Sequence, residues 1–289
     1  MVENPNIKIA FQGLPGAYSD MACRLAYPNL EPLPCSTFEE TFAAVNEGRA
    51  RLAMIPIENS IVGRVADIHH LLPGSELNII GEHFQPVNHH LLGCHGSSIE
   101  GLTEVHSHIH ALAQCRSLIS KLAVKGRVVA DTAGAAAEIS KAGDKRYGAI
   151  ASHLAAEIYN LKVLQENVED AERNMTRFVV MSKEPIDPDP ADGPMITTFV
   201  FEVRNIPAAL YKALGGFATN GINMLKLESY LGRDSFTSAQ FYADVAGHPS
   251  DPSLRLALEE LGFFSRTVSI LGVYPADIYR DKSFPKKFR

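Results

Sequence analysis

No two cysteines in this chain stand at the short spacing of a redox or zinc motif. The four, Cys23, Cys35, Cys94 and Cys115, are scattered and form no C-x-x-C. Structural disulfides and zinc knuckles are therefore disfavoured, and reduced thiols are expected. There is no excess of positive charge either. With 27 basic and 33 acidic residues and a formal net charge of −6, composition argues against nucleic acid or an anionic membrane as partner. No apolar run approaches the roughly 18–20 residues that span a bilayer. The opening MVENPNIKIAFQG has neither the basic segment nor the apolar stretch of a secretory signal, so a cytoplasmic location is expected. The triplet Asn174-Met175-Thr176 then carries no glycosylation meaning. G-x-G-x-x-G, the P-loop, H-E-x-x-H and G-x-S-x-G are all missing, which removes the usual support for dinucleotide, ATP, zinc-peptidase and serine-hydrolase chemistry.

What is present is an ordinary globular composition. The chain has 289 residues, 46% hydrophobic and 21% charged, enough for roughly two domains of about 100–200 residues. One linker is visible. KEPIDPDPADGP, residues 183–194, holds four prolines and five charges in twelve positions, which disfavours helix and central strand alike. We place a first domain at 1–183, a linker at 184–195, a second domain at 196–276 and a tail at 277–289. The basic end, RDKSFPKKFR, reads as solvated.

Before the linker, strands alternate with helices. IKIAFQG and RLAMIPI read as buried strands, and TFEETFAAVNEG as a helix opening on a Thr37-x-x-Glu40 capping box. HALAQCRSLISKLAVKG reads as one amphipathic helix, followed by strand RVVA, helix AGAAAEISKAG, strand YGAIAS, helix HLAAEIYN and strand KVLQENV. The alternation predicts an α/β domain with a largely parallel sheet. After the linker the order becomes βαββαβ, the ferredoxin-like arrangement, with Pro207 in the first turn of its first helix and Gly221 just past that helix.

Histidines cluster in HSHIH, where His106, His108 and His110 fall at strand-like alternation on one face. Three imidazoles on one face could bind a metal, but no carboxylate stands at ligand spacing and a structural role is the reading. The adjacent pair His89-His90 points to opposite faces and is weaker still. Uncharged polar groups are more suggestive. Glu58, Asn59 and Ser60 end an apolar strand, where open α/β sheets place ligand sites. Ser107 precedes a helix that contains Gln114, and an N-capping serine is its plain explanation. Thr132 opens another helix, whose free N–H groups favour an anion. Together they describe a pocket for a small polyanion.

PIENS, SHxxALAQC, the Thr132 junction, YGAIAS and NMTRF, in this order and spacing, resemble bacterial prephenate dehydratases of the monofunctional kind. The downstream βαββαβ unit resembles their ACT regulatory domain. The resemblance covers nearly the whole chain. Two departures stand out: Asp131-Thr132 replaces the common Ser-Thr, and PAAL (207–210) and ESYL (228–231) replace G-A-L and E-S-R-P.

The resemblance implies a two-lobed, type II periplasmic-binding-protein-like catalytic domain, with one lobe at about 1–83 plus 166–182 and the other at about 84–165. It implies conversion of prephenate to phenylpyruvate, water and CO2, without metal or cofactor because the driving force is aromatisation of the substrate. On this resemblance Thr176 donates its hydroxyl to the departing oxygen. Arg177 grips a carboxylate or, if the strand is regular, braces the site. Asn59, Ser60, Ser107, Gln114 and Thr132 bind the substrate's carboxylates and ketone, and Phe178 lines the site. Glu58 orients neighbours, relays a proton or forms a structural ion pair. An L-phenylalanine effector would sit at Ala208, Ala209, Leu210, Glu228 and Ser229 in a homodimer or homotetramer. Arogenate as substrate, or a solute-binding sensor without turnover, remain alternatives.

Overall fold

The computed structural model describes residues 7–232 and 235–283, with the side chains of 69, 231–238 and 281–283 left aside. The chain divides into two compact units. One is built from residues up to Arg64 together with Phe84–Phe178, the other from Val65–His83 and from Val179 onward.

The first elements are β1 (Lys8–Gln12), α1 (Tyr18–Ala26), β2 (Glu31–Cys35), α2 (Phe38–Asn46), β3 (Leu52–Asn59), β4 (Gly63–Arg64), α3 (Ala66–Leu71) and β5 (Asn78–Pro86). Ile9, Ala10, Phe11 and Leu52–Ile55 are all buried. Such continuous apolar runs belong to parallel strands covered on both faces, and β1 does pair parallel with both β2 and β3. Pro32 and Pro34 are tolerated because β2 is an edge strand. The capping box at α2 forms with a shift of one residue. Thr37 Oγ1 accepts from Glu40 N at 3.1 Å, while the Glu40 carboxylate takes the N–H and hydroxyl of Ser36.

Next come β6 (His90–Gly93), β7 (Glu104–Ser107), α4 (Ile109–Gln114), α5 (Arg116–Leu122), β8 (Lys125–Val128), α6 (Thr132–Ala142), β9 (Tyr147–Ala151), α7 (His153–Ile158), β10 (Lys162–Gln165) and β11 (Met175–Ser182). One sheet has the order β2-β1-β3-β11-β5 and a second the order β10-β6-β9-β7-β8. In the second sheet β7 runs parallel to β8 and β9, but β6 is antiparallel to both β9 and β10. The sheet is mixed rather than largely parallel. Its core uses small residues: Ala135, Ala136, Ala149, Ala151, Ala155 and Ala156 cluster with Leu92 and Ile139. Gly16, at φ +89°, approaches α7 so closely that a Cβ there would stand 2.8 Å from Ala155 Cα.

Two expectations fail in this region for identifiable reasons. Residues 109–122 form two helices, not one. The Asp170 carboxylate inserts at the junction and accepts from the N–H groups of Arg116 and Ser117 (2.9 and 3.2 Å), while Asp170 N binds Gln114 O. That supplies a second helix start in the middle of one amphipathic pattern. The histidine triplet does not share a strand face either. β7 ends at Ser107, His108 is the N-cap of α4, and His110 lies inside the helix.

The remaining elements are β12 (Met195–Val203), α8 (Ala209–Thr219), β13 (Met224–Gly232), β14 (Ser235–Ala246), α9 (Pro252–Phe264), β15 (Ser265–Pro275) and α10 (Ile278–Ser283). Up to β15 this is the βαββαβ order read from the sequence. The strands form an antiparallel sheet in the order β13-β14-β12-β15. Phe199, Phe201, Phe217 and Phe241 pack with Leu254, Ala257 and Leu261 of α9 as its core. Pro207 lies ahead of α8, not in its first turn. The N-cap is Ala208, in the left-handed conformation at φ 60° and ψ 19°, while Gly221 follows the helix at φ +69° as expected. The basic end is not wholly solvated: Arg280 donates through Nε and Nη2 to both oxygens of the buried Glu82 carboxylate (2.5 and 2.8 Å). The fork geometry of guanidinium on carboxylate explains the pairing.

Candidate active site

The C-terminal end of β3 meets the start of β11, and side-chain alternation sorts the pairs onto two faces. On one face Glu58 Oε1 accepts from Arg177 Nη1 at 3.1 Å, with Arg177 only 2% exposed. On the other face Asn59 Nδ2 lies 3.0 Å from Thr176 Oγ1. Thr176 is half-buried and Phe178, on its face of the strand, is fully buried. Ser60 stitches the junction: its N–H donates to Met175 O, and its hydroxyl donates to Arg173 O and accepts from Met175 N (3.0 Å).

Asn59 organises this corner. Its Oδ1 accepts from the backbone N–H of Ile61 and of Val62, both at 2.9 Å. Because two backbone donors face that atom, the amide can only be oriented one way. Its Nδ2 then donates to Asn174 Oδ1 (2.7 Å), Met175 O (3.2 Å) and Thr176 Oγ1 (3.0 Å). Asn59 thus has no amide hydrogen left for a ligand. Thr176 is in the opposite state: its oxygen receives a hydrogen bond, and among the described residues its own hydroxyl proton has no protein acceptor.

From Asn174 the network continues. Asn174 Nδ2 donates to Gln114 Oε1 (2.9 Å), which also meets His89 Nε2 (2.9 Å). His89 Nδ1 in turn faces the Tyr18 hydroxyl at 2.8 Å. Burial lowers the His89 pKa below its ordinary 6.5. Burial, aided by the Glu169 carboxylate, raises the Tyr18 phenol well above its usual range, so both are neutral at physiological pH. The two amide hydrogens of Gln114 find no protein acceptor among the described residues.

Ser107 and Thr132 sit at neighbouring strand ends, since Val129 N, just past β8, donates to Ser107 O. Ser107 is not a helix cap. It is fully buried, and its hydroxyl donates to Ile150 O across the sheet at 2.6 Å. Thr132 opens α6, where the Asp131 side chain accepts from Gly134 N at 2.6 Å and serves as the cap. The structure therefore joins Asn59, Ser60, Gln114 and Thr176 around the 173–176 segment, pairs Glu58 with Arg177 on the other face, and ties neither Ser107 nor Thr132 into that network. Reading the sequence missed Asn174, His89 and Tyr18. Asn174 stands inside the NMTRF motif and was legible there; His89 was seen only as half of an adjacent histidine pair and set aside, and Tyr18 carried no local signal.

In the second unit a cavity of about 350 Å³ is lined by Val203–Ile206, Ala208–Tyr211, Ala239 and Phe241. It gathers Ala208, Ala209 and Leu210 of the expected effector site. Glu228 and Ser229 do not line it. Glu228 pairs with Lys226 at 3.1 Å, and Ser229 lies across the ladder from Phe241. Tyr230, where a relative's arginine was expected, is buried, and desolvation raises its phenol to about 12. Among the described residues no helix is long and apolar enough to cross a membrane, and no group of three or more His, Cys, Asp or Glu could hold a metal ion.

Comparison with known proteins bears on this cluster. The chain matches the prephenate dehydratase family over residues 9–186. It is 53% identical to a bifunctional N-acyl-homoserine lactone acylase/prephenate dehydratase of Komagataeibacter europaeus, covering 95% of this chain and 98% of that one. It is 38% identical to the chloroplastic arogenate dehydratase/prephenate dehydratase 1 of Arabidopsis thaliana, covering 96% and 74%. Among solved structures, prephenate dehydratase of Arthrobacter aurescens in complex with L-Phe superposes with a TM-score of 0.85 at 28% identity, covering 93% and 90%. By profile, sequence and fold together, the chain belongs to the prephenate dehydratase family.

Proposed function

We propose that the Thr176 hydroxyl and the Gln114 amide are the two donors that act on substrate, and that the residues around them exist to aim them. Family membership makes the chain a carbon–oxygen lyase that dehydrates and decarboxylates prephenate to phenylpyruvate in phenylalanine biosynthesis. In that reaction the ring carboxylate leaves as CO2, its electron pair moves through the diene, and the ring hydroxyl departs as the ring becomes aromatic. The protein needs a donor for a poor leaving group, anchors for two carboxylates and a dry site. The carrying observation is that Thr176 Oγ1 accepts from Asn59 while its proton is uncommitted. In this reading that proton meets the departing oxygen and the bond strengthens as charge develops. Full proton transfer from an aliphatic hydroxyl is unnecessary. Gln114 offers its amide hydrogens to a carboxylate or the ketone. Thr132, at the start of α6, adds a hydroxyl donor to the polyanion site and Phe178 an apolar surface, while Ser107, whose proton goes to Ile150 O, supports the strand end beside it. Arg177, paired with Glu58 on the far face of β11, braces β3 against β11.

The remaining features extend this reading. The two sheets of the first unit are the lobes of a periplasmic-binding-protein-like catalytic domain spanning 1–183, joined through 184–195 to an ACT domain at 196–276. The protein works in the cytoplasm as a homodimer or homotetramer and needs no cofactor. L-Phenylalanine, one transamination beyond the product, is the effector; the A. aurescens protein was solved with it, and the cavity beside Ala208–Leu210 is the place where we propose that it binds.

Purified protein incubated with prephenate should form phenylpyruvate, followed by its enol absorbance in alkali, and kcat/KM measured side by side for prephenate and arogenate sets the substrate preference. No phenylpyruvate from a folded sample would refute the dehydratase reading. A second activity, hydrolysis of N-acyl-homoserine lactones, is a reading that the 53% identical relative favours. Release of free homoserine lactone at enzyme concentrations that turn over prephenate would establish it.

A further inference from the structure

Orientation propagates through the first unit's polar network in one direction only. It starts at the backbone N–H groups of Ile61 and Val62, which face Asn59 Oδ1 and fix that amide. Asn59 Nδ2 therefore meets Asn174 Oδ1, and Asn174 must present its own NH2 to Gln114. Gln114 must answer with Oε1, which turns its amino group away from Asn174. The same Oε1 is 2.9 Å from His89 Nε2. Two acceptors at that distance would repel, so Nε2 carries a proton and Nδ1 is left as the unprotonated nitrogen.

We propose that His89 is a positioning residue of the dehydratase, held as the Nε2–H tautomer so that Gln114 presents its amide hydrogens to substrate. The proposal rests on the reading of Gln114 as a substrate donor. With the other tautomer, His89 would offer a lone pair to Gln114, whose amide would then be drawn to flip. The flip would place its NH2 against the NH2 of Asn174 and aim an acceptor at an anionic substrate. On the other side of the ring Tyr18 Oη is 2.8 Å from Nδ1 and 2.7 Å from Asn88 O, so its single proton is shared between two acceptors and the tautomer is set from the Gln114 side. The titratable groups around His89 are Tyr18 of α1, the Glu169 carboxylate that accepts its backbone N–H at 2.8 Å, and the adjacent His90. Burial outweighs the pull of Glu169 and lowers the pKa of the ring.

The test is a double-mutant cycle on the full-length enzyme, with thermal melts as the folding control. His89→Asn keeps a polar group near Nδ1 but removes the donor to Gln114, whereas His89→Gln places an amide nitrogen near Nε2. We expect His89→Asn to lower kcat/KM by about tenfold or more, one misdirected donor's worth, and His89→Gln to restore it to within about threefold of wild type, a margin of roughly half a power of ten. In a Gln114→Ala background, His89→Asn should cause no further loss, because it acts through Gln114. Nitrogen-15 NMR of the wild-type ring should show Nε2 protonated and Nδ1 free. Additive losses in the cycle, or a ring protonated at Nδ1 alone, would overturn the inference. So would a loss in Gln114→Ala with none in His89→Asn, and the site reading beneath would then survive. Wild-type activity in Gln114→Ala would instead overturn that site reading itself.

Discussion

The corner around Thr176 and the cavity beside α8 are built on opposite principles. In the first, every amide is oriented by another polar group, so that two donors are left over and aimed. In the second, small and apolar residues such as Ala208, Ala209, Leu210 and Phe241 make up most of the lining, with Arg204 and Asn205 the strongly polar ones. A network of that first kind suits charge developing at one place in a reaction, since each fixed dipole acts without reorganising. A wall of the second kind selects a ligand by shape and a few polar groups, and gains most from apolar contact. The difference teaches that damage to the polar corner should appear in kcat, and damage to the cavity in ligand binding or stability.

Asn59→Leu should have the largest effect. It removes the acceptor of two backbone N–H groups and the donor to both Asn174 and Thr176. A loss of about 10³ in kcat is expected, at the upper end for a single positioned group, because Thr176 and Gln114 lose their orientation together. Steady-state rates on the folded variant check it. If only KM changed, Asn59 would be a substrate ligand and not an organiser.

Arg177→Lys should cost about 1–3 kcal/mol of stability while KM holds, since a buried point charge cannot replace the guanidinium fork. A denaturant melt and a Michaelis curve on the same preparation decide it. A raised KM with an unchanged melt would put Arg177 on the substrate. On the other side of the comparison, Ala208→Gly should stabilise by about 0.5–1 kcal/mol. An alanine at φ 60° costs about 1–2 kcal/mol, and the freer unfolded glycine chain offsets part of the gain. Basal kcat should not move.

The smallest effect is of pH. His89, His90 and His108 all have pKa values lowered from 6.5, chiefly by burial, with His153 and His110 adding to the last two. The native state therefore prefers them neutral, while the unfolded chain takes up protons as pH falls. Stability from this source is complete above about 6.5 and is lost as pH drops below it. Thermal melts between pH 8 and 5 should show that decline, and a flat profile would contradict it.

Much of the scaffold was legible in the sequence because it rests on local signals. The apolar runs of β1 and β3, the alanine-rich α6, the Thr37 cap and the βαββαβ order all follow from neighbouring residues. What was hidden depends on groups brought from far along the chain. Asp170 splits a helical pattern at Cys115, Glu82 recruits Arg280 from the basic tail, and Ile61 and Val62 set an amide chain that ends at Tyr18. The site motif PIENS was visible, but the role of each residue was not. Asn59 and Ser60 looked like substrate donors, whereas their hydrogens are bonded within the protein. Only tertiary contact shows which donors remain.

The free hydroxyl of Thr176 is the point on which the polar corner turns, and the valine isostere tests it most directly. Thr176→Val keeps the shape of the side chain and deletes its one donor. The single-turnover rate of the folded variant with prephenate should fall by about 10²–10³, and Thr176→Ser should recover most of it. A folded valine variant within about threefold of the wild-type rate, roughly 0.7 kcal/mol in barrier, would remove Thr176 from the chemistry.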